Sequence, residues 1–188
     1  MAKQKARPKI TVDDHFFRDP RFRPPEVLHV CRVERDNLLD WHRRDLIPET
    51  RQAKGRGHRR LYSVRDAIYI NTVRILAEAD APLKEAALLA SDMVDVVTKV
   101  FSYQQANACE IHQLPDCFVI MYRDSDGHWQ HEWLGSLIGE PLPKRGLQQY
   151  MRDYQLESAV VLDINSIVFM LFDRILTEME VIPPPGEY

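Results

Sequence analysis

Arg51, Lys54, Arg56, Arg59 and Arg60, with His58 as a further cation when protonated, crowd around Gly55 and Gly57. Guanidinium and ammonium groups at this density neutralise phosphates and displace the counterions condensed on nucleic acid, which makes binding salt-dependent. The glycines permit a tight chain reversal. The flanks can then pair as a small β-hairpin whose tip carries cations and backbone amides to phosphates beside a groove. A little upstream lie Arg35, Asn37, His42, Arg43 and Arg44. Arg reads guanine and Asn reads adenine in bidentate fashion, so Arg35, Asn37 and His42 are candidates for base edges. Arg43 and Arg44 join the hairpin cations as candidates for phosphate. Tyr62 either packs beneath the hairpin or gives its hydroxyl to a phosphate. A merely solvated charged face is the alternative for any one of these residues.

Other chemistry is poorly supported. Cys109, His112 and Cys117 have the spacing C-x2-H-x4-C, and such side chains are zinc-type ligands. No fourth ligand is evident, and Cys117 opens an apolar run where a buried thiol is ordinary, so we expect no metal and no cofactor. His128 and His131 are three apart on an expected strand and so point to opposite faces. Trp129 and Trp133 share a face with His131; they line a ligand pocket, or they belong to a small core or subunit contact. No phosphate-binding glycine loop, nucleophile elbow or HExxH motif is present, and the carboxylates are scattered. We expect no enzymatic activity.

The elements that must position the cations are legible from patterning. Pro24 and Pro25 suit the first turn of a helix, with Val27 and Leu28 on its apolar side. After a break at Cys31-Arg32-Val33, a second helix is expected over about 34–44, with Leu38, Leu39 and Trp41 on one side. Two short helices joined by such a turn form a helix-turn-helix, and the Gly/Arg hairpin after Leu46-Ile47-Pro48 is its wing. Ser63 with Asp66 has the form of a helix N-cap, predicting a helix to about residue 79 with Ala67, Ile68, Ile75, Leu76 and Ala79 on a common side. Pro82 starts another helix. There Ala86, Leu89, Met93, Val96, Val100 and Tyr103 form a heptad-like seam, available either to a second subunit or to the same chain. Residues 117–122 and 129–137 read as a strand pair across Asp124-Ser125-Asp126-Gly127, and 160–162 as a short buried strand. A helix follows over 165–179, apolar on most sides once Phe169 and Met170 are counted, so a subunit interface is a plausible second partner for it.

Composition fits this division. Hydrophobic residues make up 45% and charged residues 28% of the 188-residue chain, the balance of a soluble globular protein. No apolar run is long enough to span a bilayer, and no secretory leader is recognisable. Three cysteines, irregularly spaced, form no disulfide framework, and a cytoplasmic location is expected. Residues 1–66 hold 17 Lys or Arg against 10 Asp or Glu, whereas residues 67–188 hold 8 against 18. That asymmetry indicates a polyanion-binding head on an acidic body, with chance clustering as the alternative.

The ordered set Trp41-His42-Arg43-Arg44-Asp45-Leu46-Ile47, the Gly/Arg wing, Arg60-Leu61-Tyr62-Ser63 and Pro82-Leu83-Lys84-Glu85 resembles the DNA-binding domain of MerR-family transcription regulators over about residues 22–97. The resemblance implies a homodimer on pseudo-palindromic promoter DNA, with the second helix in the major groove, the wing on the backbone, and RNA polymerase as a possible partner. In many such proteins the promoter is distorted, and variable C-terminal regions sense metals, drugs or redox signals. Two positions depart from the family pattern: Leu39 stands where Arg is usual, and Asp45 where Gly is usual, at a point expected to be left-handed. Asp tolerates that conformation better than most residues.

The expected fold is mixed α+β: a flexible basic arm (1–21), a winged helix-turn-helix DNA-binding domain with its following helix (22–108), a small α+β domain for dimerisation (109–180), and a tail (181–188). The expected function is transcription regulation on double-stranded DNA, without a membrane. The alternatives are an architectural DNA-binding protein of the phage-excisionase kind, and a small-ligand or enzymatic C-terminal module targeted by the head.

Overall fold

The computed structural model describes residues 14–48, 60–107, 116–135, 152 and 159–181. Five helices come first: α1 (Asp14–Arg18), α2 (Pro24–Cys31), α3 (Arg35–Arg43), α4 (Val64–Glu78) and α5 (Leu83–Asn107). Strands β1 (Phe118–Arg123), β2 (Trp129–Leu134) and β3 (Ala159–Asp163) follow, and α6 (Ile164–Val181) is last. The strands form one antiparallel sheet in the order β2-β1-β3. This is a mixed α+β fold with an N-terminal helix-turn-helix.

Helix α4 is the hub. Ser63 Oγ accepts from Asp66 N at 3.2 Å and the Asp66 carboxylate accepts from Ser63 N at 2.7 Å, so the expected cap is present as a reciprocal box. Patterning predicted one apolar side for this helix. Instead Val64, Ala67, Ile68, Tyr69, Ile70, Asn71, Thr72, Val73 and Leu76 are all buried, whereas Ile75 is only half-buried and Ala79 is exposed. The reason is that α1, α2, α5 and α6 surround it. A helix enclosed by four others cannot keep a clean polar side.

The α5 seam turns inward. Ala86, Leu89, Met93, Val96 and Val100 are buried within the chain, largely against α4, and Tyr103 is exposed. Of the two roles open to this seam, it serves packing onto its own chain.

The expected flexible arm over residues 1–21 requires correction. Within it, α1 buries Phe16 and Phe17 against Phe172 of α6, with ring centroids 6.2 and 6.1 Å apart, and Arg21 lies over the Phe16 ring at 5.6 Å. An aromatic pair carries enough apolar area to anchor a single turn of helix that has no periodicity to betray it. Residues 1–13 lie outside the described residues, as does the tail from 182.

Helix α6 buries Ile164, Ile167, Val168, Leu171, Phe172 and Ile175 and leaves Phe169 and Met170 exposed. It packs on α2, α4 and α5 as well as on the sheet. Among the described residues one apolar cluster therefore runs from Phe16 to Ile175 and takes in residues of both expected domains. The β1–β2 hairpin turns where Asp124 Oδ1 accepts from the backbone of Asp126 and His128 at 3.0 and 2.8 Å. His128 thus lies in the turn rather than on the strand, and the argument from opposite strand faces does not apply to it. Trp129 and Trp133 are partly buried against the main cluster, a core role. At the end of β2, Gly135 has φ +138° and a Cβ there would come within 2.2 Å of the Asp116 carbonyl oxygen. Only glycine fits that position.

Candidate nucleic-acid interface

The turn between α2 and α3 is closed by Arg32, left-handed at φ 52°, with Arg32 N donating to His29 O and Val33 N to Leu28 O. Val27, Val30 and Cys31 fix α2 to the core, and Leu38 and Trp41 fix α3. Two anchors three residues apart lie on one side of a helix, so the rest of α3 is turned outward. Arg35, Asn37, Arg43 and Arg44 are exposed there. Arg44 Nε pairs with Asp40 at 2.9 Å along the helix. Leu39, at the position where Arg is usual, is 39% exposed, so it offers a methyl-bearing surface in place of a charge.

The helix ends as its sequence foretold. Asp45 adopts φ 52°, and Leu46 N donates back to Trp41 O at 3.0 Å. Tyr69 of α4 donates its hydroxyl to Leu46 O at 2.7 Å, tying the end of α3 to the hub. Tyr62 is buried and pairs with Phe22 in an antiparallel bridge, which plants the C-terminal root of the wing beside the start of α2. Its hydroxyl lies 3.0 Å from Nε2 of His42. Burial, and then the nearby Arg60 cation, holds the His42 imidazole below its ordinary pKa, and burial pushes the Tyr62 hydroxyl up. Of the two roles open to Tyr62, the packing one is observed. His42, placed among the base-reading candidates, joins α3 to the wing root. Arg60 is exposed at that root. Arg51, Lys54, Arg56, His58 and Arg59 lie outside the described residues.

The charge is distributed less evenly than a head-and-body division implies. Residues 22–48 carry five Lys or Arg and five Asp or Glu, whereas residues 49–66 carry six against two. The helix-turn-helix itself is neutral, and Asp36 is exposed on α3. The positive field therefore comes from the wing segment and the N-terminal residues. Sequence reasoning did not find the groove beside the wing root, about 540 Å³, lined by Arg18, Pro48, Leu61, Arg65 and Tyr69 among others. Its residues come from four separate stretches of chain, and no local motif announces it.

Among the described residues, no group of three His, Cys, Asp or Glu side chains is placed to hold a metal. Cys117 is buried, and burial, reinforced by Asp163, raises its thiol to about 12. Cys109 and His112 lie outside the described residues. His131 Nε2 approaches Asp92 at 3.4 Å. No helix among the described residues is long and apolar enough to cross a membrane.

A helix-turn-helix with its second helix presented outward and a basic segment rooted beside it defines a DNA-binding head. Residues 22–92 match the family described as MerR HTH family regulatory protein, which makes this segment a DNA-binding regulator domain at family level. No curated protein matches the chain.

Proposed function

We propose that this protein is a non-catalytic transcription regulator of the cytoplasm that binds pseudo-palindromic promoter sites on double-stranded DNA as a homodimer. The observation that carries the proposal is the outward presentation of α3, with Leu38 and Trp41 inward and Arg35, Asn37 and Arg43 exposed, next to Arg60 and the Tyr62 bridge where the basic segment ends. The family match over residues 22–92 supports it. Because the helix-turn-helix is neutral, the wing cations Arg51, Lys54, Arg56, Arg59 and Arg60 supply most of the phosphate attraction, and α3 supplies selectivity.

In a homodimer two heads face two half-sites. The α5 seam is occupied within the chain, which favours α6, with Phe169 and Met170 exposed, as the dimer face. Contact with RNA polymerase is proposed on the family likeness alone.

The test is fluorescence anisotropy on a promoter fragment identified by genome-wide binding-site mapping. Arg59→Ala with Arg60→Ala is expected to weaken binding roughly tenfold or more and to lower the slope of log affinity against log salt by about 2. Unchanged affinity and slope in the double variant refutes the assignment.

A further inference from the structure

Helices α4 and α6 bring together nitrogen atoms that have nothing to bond. Asn71 of α4 is 1% exposed. Its Oδ1 accepts from Nη2 of Arg74 and from Nη2 of Arg174, each at a long 3.4 Å. This settles the amide's orientation, since the flipped amide would set its own NH2 against two guanidiniums. Asn71 Nδ2 is then left without a partner, and so are Nε of Arg74 and Nη1 of Arg174, all three buried. All are donors.

The charge on Arg174 is no better matched than the hydrogen bonds. Arg74 gives Nη1 to Glu78, and Arg174 gives Nε to the Met170 carbonyl at 2.9 Å. Among the described residues Arg174 has no carboxylate within ion-pair distance, although Asp173 adds a weaker favourable field. Burial first, then the Arg32 cation at the end of α2, lowers the guanidinium's pKa, and the Cys31 thiol beside it is pushed up to about 12 by burial. Arg74 has its counter-charge in Glu78, whereas Arg174 shares only the neutral Asn71 oxygen and is left a partly buried, uncompensated charge. A water molecule satisfies donors but not charge, whereas an oxyanion satisfies both. The unpartnered nitrogens offer about five N–H bonds, more than a carboxylate accepts and well matched to a phosphoryl group.

We infer that Asn71, Arg74 and Arg174 form a binding site for a small phosphate-bearing anion between the helix-turn-helix head and the C-terminal helix. Asn71 and Arg74 belong to the head and Arg174 to α6, so occupancy fastens α6 to the hub helix on which α2 packs. The site stands independently of DNA binding.

Thermal unfolding of the full chain tests it, with inorganic phosphate and glycerol 1-phosphate each compared with chloride at matched ionic strength. Wild type is expected to show a saturable rise in Tm. Arg174→Met is expected to melt at or above wild type in phosphate-free buffer, having lost an unmatched charge, and to ignore phosphate. Asn71→Asp, which supplies the missing negative charge internally, is expected to fold, melt higher and also lose the response, which guards against misfolding of the first variant. The Arg59→Ala, Arg60→Ala protein is expected to respond like wild type. A response to inorganic phosphate alone identifies the free anion as ligand, and a larger one to glycerol 1-phosphate identifies a phosphorylated metabolite; either supports the site. No saturable rise in wild type, an equal rise in Arg174→Met and Asn71→Asp, or loss of the response only in the wing variant overturns it.

Discussion

His42 and Tyr62 meet at 3.0 Å between the end of α3 and the root of the wing. Their contact ties the end of α3 to the bridge by which Tyr62 pairs with Phe22. Because burial and Arg60 depress the imidazole's pKa in the folded state, the unfolded chain takes up a proton that the folded chain refuses. The stability contributed here is therefore complete above the ordinary histidine value of 6.5 and is lost as pH falls below it toward the folded value. Urea midpoints measured from about pH 7 to about pH 5 should fall less steeply in His42→Gln than in wild type; parallel curves count against the assignment. Asp45 and His42 differ in how much the residue alone reveals. The left-handed turn at Asp45 was legible, because the family resemblance placed this residue where Gly is usual. The role of His42 was not, because a polar residue on a recognition helix looks the same whether it meets a base or a neighbouring hydroxyl.

Among the elements, α4 packs against four other helices, and its cap is a direct place to perturb it. Ser63→Ala removes the hydroxyl that accepts from Asp66 N and breaks the reciprocal box. A loss of about 1 kcal/mol is expected in equilibrium unfolding, with the fold retained; no measurable loss would mean that neighbouring helices alone hold the start of α4. Capping and the β1–β2 turn were readable because they depend on residues two to four apart. Which faces the helices would bury was read less well. The α5 seam has the spacing of a coiled coil and serves α4 instead. Helix α1 has no pattern at all and is held by two aromatic rings on Phe172.

For the whole molecule, the continuous core matters most. The expected boundary near residue 108 follows a real change from helical to strand patterning, yet α6 returns to pack on α2, α4 and α5 and joins both halves. With that side of α6 filled, Phe169 and Met170 remain on its outer side. Sedimentation velocity is expected to give a dimer for wild type and a monomer for Phe169→Glu with Met170→Glu, the monomer retaining wild-type helicity. A dimer that survives both changes places the interface elsewhere. Weaker binding to a two-half-site fragment should accompany the monomer, because linked heads raise each other's effective concentration.

The amino-acid sequence by itself determined the local devices: the order helix, turn, helix, the Ser63–Asp66 cap and the β1–β2 hairpin. Each rests on backbone preferences and near-neighbour chemistry. Only the tertiary structure decided that Phe16 and Phe17 anchor the N-terminal segment, that the α5 seam faces inward, that His42 serves the wing root, and that Asn71 and Arg74 meet Arg174. These are encounters between residues far apart in the chain, and residue type and spacing carry no record of which distant partner closes on them.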